Sequence, residues 1–250
     1  MTCSVGPEVT VIYTPFKVGS TSMFERLVRP FFCTGGHYQA LREGVPQECL
    51  HYTLKCHSDG VLDLFKLREQ LQSPIRRVIT FVRNQGEIYL SAFFQDIDSP
   101  NLPYYFGSRT DVLAADAEDL SKHFLKIDWP ALRHLQIMEN MARVREYTTI
   151  DYSDDLKLIT RDGFLARQGH STNGEDVIVA AAHVGILSQP DRFRLFLRDL
   201  RYPWYIRQQI PLQHSANVGS KKWYADVYKQ VKADPRVIEA IARWNEPFGI

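Results

Sequence analysis

The residues best suited to bind an anion lie between a short apolar segment and an amphipathic segment near the start of the chain. Lys17 supplies a positive charge there, Gly19 follows closely, and Ser20, Thr21 and Ser22 supply three consecutive short hydroxyl donors. A strand, a small-residue loop and a helix in this order aim free backbone N–H groups and a helix dipole at an anion. The stretch therefore predicts a phosphate-binding loop.

Two elements must position this loop. Val9 to Thr14 is rich in β-branched and aromatic residues, which predicts a short buried strand that ends at Pro15. From Met23 onward the apolar residues recur at helical spacing, which predicts a helix over about residues 22 to 33.

A second candidate anion contact follows another predicted strand. Val78 to Val82 is a nearly all-apolar run, typical of a parallel strand that is covered on both faces. Arg83 follows this run directly, and the helix predicted next carries Ser91. Because ligands of open α/β sheets bind at the carboxyl ends of strands, we expect Arg83 to meet a substrate phosphate. A guanidinium and a hydroxyl together suit a phosphate dianion.

These two stretches resemble the nucleotide-binding motifs of sulfotransferases that use PAPS (3′-phosphoadenosine 5′-phosphosulfate). The run Lys17-Val18-Gly19-Ser20-Thr21-Ser22 is similar to the 5′-phosphosulfate loop of carbohydrate sulfotransferases. Arg83, with Ser91 eight positions later, resembles the 3′-phosphate motif, although Gln85 stands where the family commonly has proline. The Walker loop is a poorer match, because it places its lysine directly after its second glycine.

The resemblance implies an α/β, three-layer P-loop-like sulfotransferase fold, with a central parallel sheet flanked by helices and residues 1–250 forming a single domain. It implies transfer of a sulfuryl group from PAPS to a hydroxyl of a carbohydrate acceptor, releasing adenosine 3′,5′-bisphosphate without a metal. A polysaccharide or glycan precursor, for instance in bacterial capsule synthesis, is the expected acceptor. Lys17 would bind the 5′-phosphate and stabilise the charge that develops on the leaving oxygen.

The C-terminal segment resembles the closing part of carbohydrate sulfotransferases, where a His-x-x-Asn-x-x-Ser loop with basic residues precedes a helix. Here the loop begins at His214, and the chain ends Phe-Gly-Ile where the family often has a terminal aromatic. The cosubstrate-binding residues that this resemblance implies are Asn217, Gly219, Ser220, Lys221 and Lys222.

A general base is needed to remove the proton of an acceptor hydroxyl. We expect His57 to act as this base, because it follows a predicted strand over His51 to Cys56, and cytosolic sulfotransferases place a Thr-His pair at the end of the comparable strand. Cys56 takes the threonine position here, and Lys55 is expected to assist. Three other residues stay open as the base: His37, Glu43 and Glu48.

Further elements follow from the hydrophobic pattern. A helix is predicted over Val61 to Gln72, with Ser58 or Asp59 as its N-cap. Residues 97 to 116 are expected to form a surface loop whose Tyr104, Tyr105, Phe106 and Arg109 could contact a sugar. The remaining predicted segments are helices over residues 117–126, 129–145 and 190–200, a strand over residues 177–183, and helical structure from Tyr224 to Trp244.

Composition narrows the class of protein. The chain has 250 residues, 44% of them hydrophobic, and a net charge of +1, so no overall field favours nucleic acid or an acidic membrane. No apolar run is long enough to cross a bilayer, and the four cysteines show no zinc or redox spacing, so we expect free thiols and a cytoplasmic protein. Two alternatives stay open: a P-loop-type nucleotide or small-molecule kinase, and a non-catalytic module that binds a bisphosphate nucleotide.

Overall fold

The computed structural model describes residues 8–14, 20–28, 51–57, 63–97, 111, 114–132, 136–150, 159, 163–212 and 222–245. The strands are β1 (Glu8–Thr14), β2 (His51–His57), β3 (Ile75–Val82), β4 (Phe164–His170) and β5 (Asp176–His183). The helices are α1 (Ser20–Val28), α2 (Leu64–Leu71), α3 (Gln85–Asp96), α4 (Ala117–Lys126), α5 (Trp129–Leu132), α6 (Gln136–Tyr147), α7 (Pro190–Asp199), α8 (Trp204–Gln209), α9 (Ala225–Ala233) and α10 (Pro235–Asn245), and a 3-10 helix covers Val184–Ser188.

The chain divides into two compact units. The first comprises residues 1–82 and 136–216, and the second comprises residues 83–135 and 217–250. All five strands belong to the first unit, where they form one sheet in the order β2-β1-β3-β5-β4. The predicted α/β class is confirmed, with a mostly parallel sheet flanked by helices, while the prediction of a single domain stays a prediction.

The sheet pairs β2, β1, β3 and β5 in parallel, and β4 is antiparallel to β5 at the edge. The chain goes from β1 to β2 on one side and then returns to β3 on the other side of β1. Ligands of open α/β sheets bind outside the carboxyl ends of strands at such a reversal. The topology thus favours a ligand site at the carboxyl end of β1.

Helices of the first unit lie on both faces of the sheet. Phe81 of β3 contacts Phe196 of α7, which places α7 on one face. The neighbouring Thr80 accepts a hydrogen bond from Asn140 of α6, which places α6 on the opposite face because successive strand residues alternate. Lys55 of β2 is in register with the face of Phe81 and contacts α1, so α1 and α7 share a face.

A buried polar network ties the amino end of the sheet to the segment after α7. Arg77 of β3 donates to a Glu8 oxygen at 2.7 Å and to the carbonyl of Leu200 at 2.8 Å, and its guanidinium lies 4.4 Å from the ring centre of Tyr202. His51 Nδ1 lies 3.3 Å from the same Glu8 oxygen. Contacts with His51 and Arg77 lower the pKa of Glu8 to about 2, against the opposing effect of burial.

The second unit is helical in its described part and has an aromatic core. The ring of Tyr89 on α3 stacks on Trp129 at 5.6 Å, and Trp244 of α10 meets the rings of both Tyr89 and Phe124 edge-on. Helices α3 and α10 approach closely at Gly86, where a Cβ atom would lie 2.7 Å from the backbone of Ile241. A glycine is required there by this contact.

Most predicted elements are confirmed, and two details are corrected. The helix predicted from Val61 begins at Leu64, and its N-cap is Asp63, whose side chain accepts from the N–H of Lys66 at 2.7 Å; neither Ser58 nor Asp59 is the cap. Within the region predicted as a loop over residues 97–116, the structure describes Ile97, Asp111 and residues 114–116, and of these Asp111 and Ala114 are helical. Its residues 104, 105, 106 and 109 lie outside the described part.

Candidate functional site

The predicted phosphate loop connects β1 to α1 in the first unit. The strand ends at Thr14, as the sequence pattern predicts, whereas the helix begins at Ser20, two residues before the predicted start at about residue 22. The first N–H groups of a helix have no partner within it, so the start of α1 offers backbone donors to an anion. Lys17, Val18 and Gly19 lie outside the described residues, as does the side chain of Ser20.

Lys55 of β2 points to the first turn of α1. Its ammonium group donates a hydrogen bond of 2.9 Å to the hydroxyl of Thr21. Thr21 and Ser22 are half-buried in this turn. The structure therefore brings a lysine to Thr21, one of the predicted loop residues, although that lysine comes from the neighbouring strand and was expected only to assist.

The surroundings of Lys55 are unusual for a lysine. Only 7% of the residue is exposed, and among the described residues its hydrogen-bond partner is a neutral hydroxyl and no carboxylate lies within ion-pair distance. Burial lowers the pKa of Lys55, and the negative charge of Glu25, one turn further along α1, opposes part of that shift. A buried cation without a carboxylate partner is costly unless an anionic ligand joins it.

The carboxyl end of β1 adds a second buried polar group. Thr14 is fully buried, and its hydroxyl has no hydrogen-bond partner in the part of the chain that the structure describes. Strand alternation places Thr14 on the same face as Lys55, towards α1. Its neighbour in the sheet is His57, so the backbone of the predicted base lies at this end of the sheet, as the sequence analysis expects. The side chain of His57 is outside the described part.

On the opposite face, α6 contributes two residues that sequence reasoning missed. Asn140 is buried and donates to the carbonyl of Tyr13 and to the hydroxyl of Thr80, while its own oxygen has no partner among the described residues. Arg143, one turn later, donates to the hydroxyl of Tyr13 at 3.4 Å. Burial raises the pKa of Tyr13, and Arg143 opposes that effect. An asparagine and an arginine one helical turn apart form no motif, so the sequence offers no signal for them.

The predicted 3′-phosphate residues belong to the second unit. Arg83 Nε lies 3.2 Å from an oxygen of Glu87, and the other oxygen of Glu87 accepts from Lys232 of α9 at 2.6 Å. Ser91 is half-buried one turn after Glu87 on the same face of α3. The structure thus places Arg83 and Ser91 along one side of α3, with Glu87 and Lys232 as neighbours that the sequence analysis did not include.

Glu87 keeps its charge in this cluster. Burial alone would raise the pKa of Glu87, but contacts with Lys232 and Arg83 outweigh it, so the pKa is lowered. Any phosphate at Arg83 would have this carboxylate as a neighbour.

Of the other predicted site residues, the structure describes only Lys222. Lys222 is exposed, and its carbonyl accepts from the N–H of Ala225 at the start of α9. Asn217, Gly219, Ser220 and Lys221 lie outside the described residues, and so do His37, Glu43 and Glu48. The roles assigned to all of them stay predictions.

Three further findings concern only the residues that the structure describes. Within them, no group of three His, Cys, Asp or Glu side chains is arranged to hold a metal ion. No helix in the same part of the chain is long and apolar enough to cross a membrane. Cys56, which is buried in β2, is a free thiol whose pKa burial raises to about 12.

Comparison with known proteins does not assign the chain to a family. It matches no model of a known protein family, and no curated protein matches it either.

Proposed function

We propose that this protein is a PAPS-dependent sulfotransferase that transfers a sulfuryl group to a hydroxyl of a carbohydrate acceptor. The observation that carries the proposal is the buried Lys55, which donates to Thr21 at the start of α1. A lysine held there without a carboxylate partner is suited to an anionic group bound by the loop between β1 and α1. The parallel sheet with helices on both faces is compatible with the three-layer, P-loop-like fold that the proposal requires.

The proposal divides the cosubstrate contacts into separate groups. Lys17, the backbone of residues 18–22 and Lys55 would bind the 5′-phosphosulfate. Arg83 and Ser91 would bind the 3′-phosphate, with Glu87 limiting how closely it approaches. The residues proposed to cover the nucleotide from the C-terminal segment are Asn217, Gly219, Ser220, Lys221 and Lys222.

In the proposed reaction the acceptor oxygen attacks sulfur in line with the bond from sulfur to the 5′-phosphate oxygen. A new S–O bond to the acceptor forms as that bond breaks, and its electron pair stays on the phosphate oxygen of adenosine 3′,5′-bisphosphate. Lys17 and Lys55 would stabilise this developing charge. His57 would accept the acceptor proton, a role worth roughly 100- to 10,000-fold in rate.

The first test is calorimetric titration with adenosine 3′,5′-bisphosphate and with AMP, without magnesium. We expect Lys55→Met and Lys17→Ala each to weaken binding of both nucleotides by about tenfold or more, or about 1.4 kcal/mol. Arg83→Gln should weaken binding of the bisphosphate but hardly affect AMP, because AMP lacks the 3′-phosphate. The control Lys66→Met removes an exposed lysine from α2 and should change neither affinity.

The pattern of losses decides the proposal. Absence of bisphosphate binding by the unaltered protein would refute it, as would tighter binding of ATP with magnesium and turnover of ATP, which would favour a kinase. If the nucleotide binds, release of adenosine 3′,5′-bisphosphate from PAPS is then measured with polysaccharide acceptors. Tight binding without transfer to any of them, and no effect of His57→Ala, would leave a nucleotide-binding module instead of an enzyme.

A further inference from the structure

Helices α7 and α8 carry a concentration of positive charge that the proposed reaction does not use. Residues 190–209 contain five arginines and two aspartates, whereas the whole chain has a net charge of only +1. The segment contains no lysine. Positive charge is therefore gathered on this surface and is not a general property of the molecule.

The arginines are accessible. The side chains of Arg194 and Arg198 are 64% and 60% exposed, and within the described residues each forms an ion pair only with an aspartate of the same segment, the exposed Asp191 or the partly exposed Asp199. Such exposed pairs contribute little stability, so an anionic ligand competes with them easily. Arg192 and Arg201 are exposed as well and form no ion pair among the described residues.

Two aromatic side chains extend the surface at its far end. Trp204 and Tyr205, at the start of α8, are 65% and 48% exposed, and their rings lie edge to face at 6.3 Å. Gln208 and Gln209 follow on the same short helix and are exposed. Large rings with polar edges are usually at least half covered in a monomer, and Trp204 is not, so this exposed ring, with Tyr205 beside it, indicates a contact surface.

The surface is elongated within the first unit. Helix α7 follows the 3-10 helix that leaves the carboxyl end of β5, and Leu200, just after it, bonds to Arg77 near the amino end of β3. The ten residues of α7 therefore extend about 15 Å along the sheet, with arginines on their exposed side. A polymer can contact this whole length, whereas a single sugar or nucleotide cannot.

We propose that this α7–α8 surface, formed by Arg192, Arg194, Arg198, Arg201, Trp204 and Tyr205, binds an acidic polysaccharide. The inference rests on the proposed function for its choice of a carbohydrate. Arginine forks pair with carboxylate or sulfate groups, and the two rings stack on sugar faces while the glutamine amides bond to hydroxyls. The surface would hold an acceptor chain away from the reacting hydroxyl.

Two other anionic partners fit less well. Domains that bind nucleic acid are usually strongly basic overall, and this chain is nearly neutral. A helix that lies in a membrane surface needs an apolar face, but Phe193, Phe196 and Leu197 of α7 are buried in the protein core. Its exposed side carries a single large apolar residue, Leu195, among charged ones.

Binding of oligogalacturonate, which carries a carboxylate on each ring, tests the proposal without any nucleotide. We expect the unaltered protein to bind it and not the neutral malto-oligosaccharide of the same length, with affinity that falls as salt increases. The triple variant R192Q/R194Q/R198Q should weaken binding by about tenfold, or about 1.4 kcal/mol, and Trp204→Ala should also weaken it. The controls K122Q/K126Q/K229Q and Trp223→Ala remove as much charge, or another exposed tryptophan ring, from the second unit and should leave affinity unchanged.

Several results would overturn the inference. These are equal losses in the controls, no binding of oligogalacturonate, or tighter binding of oligo(dT) or of vesicles containing phosphatidylglycerol that depends on the same residues. Titration of the same variants with adenosine 3′,5′-bisphosphate separates the two proposals, because the α7–α8 substitutions should not change it. Binding of oligogalacturonate without binding of the nucleotide would refute the proposed sulfotransferase and support the α7–α8 surface. Binding of the nucleotide without oligogalacturonate would support the sulfotransferase and refute the surface.

Discussion

Lys55 and Arg83 are both candidate anion contacts, but they differ in whether a carboxylate of the protein pairs with their positive charge. Arg83 forms an ion pair with the carboxylate of Glu87, and Glu87 also pairs with Lys232. Lys55 is buried beside a hydroxyl and has no such carboxylate within reach among the described residues. A cation that is already neutralised gains less from a ligand than one that is not. Lys55 is therefore the stronger candidate for binding an anion.

Substitution of Lys55 should separate stability from binding. A buried ammonium loses hydration that a hydroxyl only partly replaces, so Lys55→Met should raise the free energy of unfolding by about 1 kcal/mol while anion binding is lost. Denaturant unfolding of the unaltered protein, Lys55→Met and the exposed control Lys66→Met measures this. A marked destabilisation by Lys55→Met would show that the lysine serves the fold instead.

The lowered pKa of Lys55 also determines whether stability rises or falls with pH. Between its lowered value and the ordinary value of 10.5, the unfolded chain binds more protons than the folded chain, so this group makes stability rise with pH. The stability difference between the unaltered protein and Lys55→Met should therefore narrow as pH rises through that range. Anion affinity should fall over the same range, because the neutral amine no longer attracts the ligand.

Helix α2 has three candidate N-cap residues in the sequence, and its structure shows which of them is the cap. Ser58, Asp59 and Asp63 are all residues that cap helices well, and the sequence pattern alone favoured the first two. The cap is Asp63 because the chain adopts an extended conformation there, and the helix starts at Leu64, whose side chain is buried. Burial of Leu64, Leu67 and Leu71 on one face sets where the helix begins.

Removal of this cap should destabilise the first unit. Asp63→Ala leaves the N–H of Lys66 without its acceptor and should cost about 1 kcal/mol, whereas Asp63→Ser should cost much less. Denaturant unfolding midpoints measure both. Ser58→Ala and Asp59→Ala serve as controls, and a loss of similar size in either of them would contradict the assignment of the cap.

The network of Glu8, His51, Arg77 and Tyr202 joins distant parts of the chain and should govern acid stability. The pKa of Glu8 is about 2 in the folded protein against an ordinary 4.5, so the folded chain binds fewer protons between these values. Its contribution is therefore complete above pH 4.5 and is lost as pH falls towards 2. Because a third of the side chain is exposed, we expect about 1 to 2 kcal/mol after allowance for solvent screening.

Glu8→Gln tests this contribution. The variant should be less stable than the unaltered protein at neutral pH, and the two stabilities should converge as acid protonates Glu8. Acid unfolding followed by circular dichroism gives the comparison, with Glu175→Gln as a control, since Glu175 pairs with Arg68 elsewhere in the first unit. A constant difference at every pH would mean that packing and not charge accounts for the effect.

Much of the architecture could be predicted from the sequence because it depends on local pattern. The apolar runs at Val9 to Thr14 and Val78 to Val82 are short and rich in β-branched residues, which is typical of buried strands, and the helix over Ala117–Lys126 has the bounds that its apolar spacing predicts. The candidate anion loop and Arg83 were found for the same reason, since each directly follows a recognisable strand. Their roles in binding stay predictions.

What the sequence could not determine depends on contacts between residues far apart in the chain. That Lys55 meets Thr21 follows from the pairing of β2 beside β1, and that Asn140 reaches Tyr13 and Thr80 follows from α6 crossing the sheet. The antiparallel direction of β4 and the pairing of Arg83 with Glu87 and Lys232 are likewise tertiary. Hydrophobic period and turn chemistry act within a few residues, so they specify the elements, while packing decides which charges are buried together and which are neutralised.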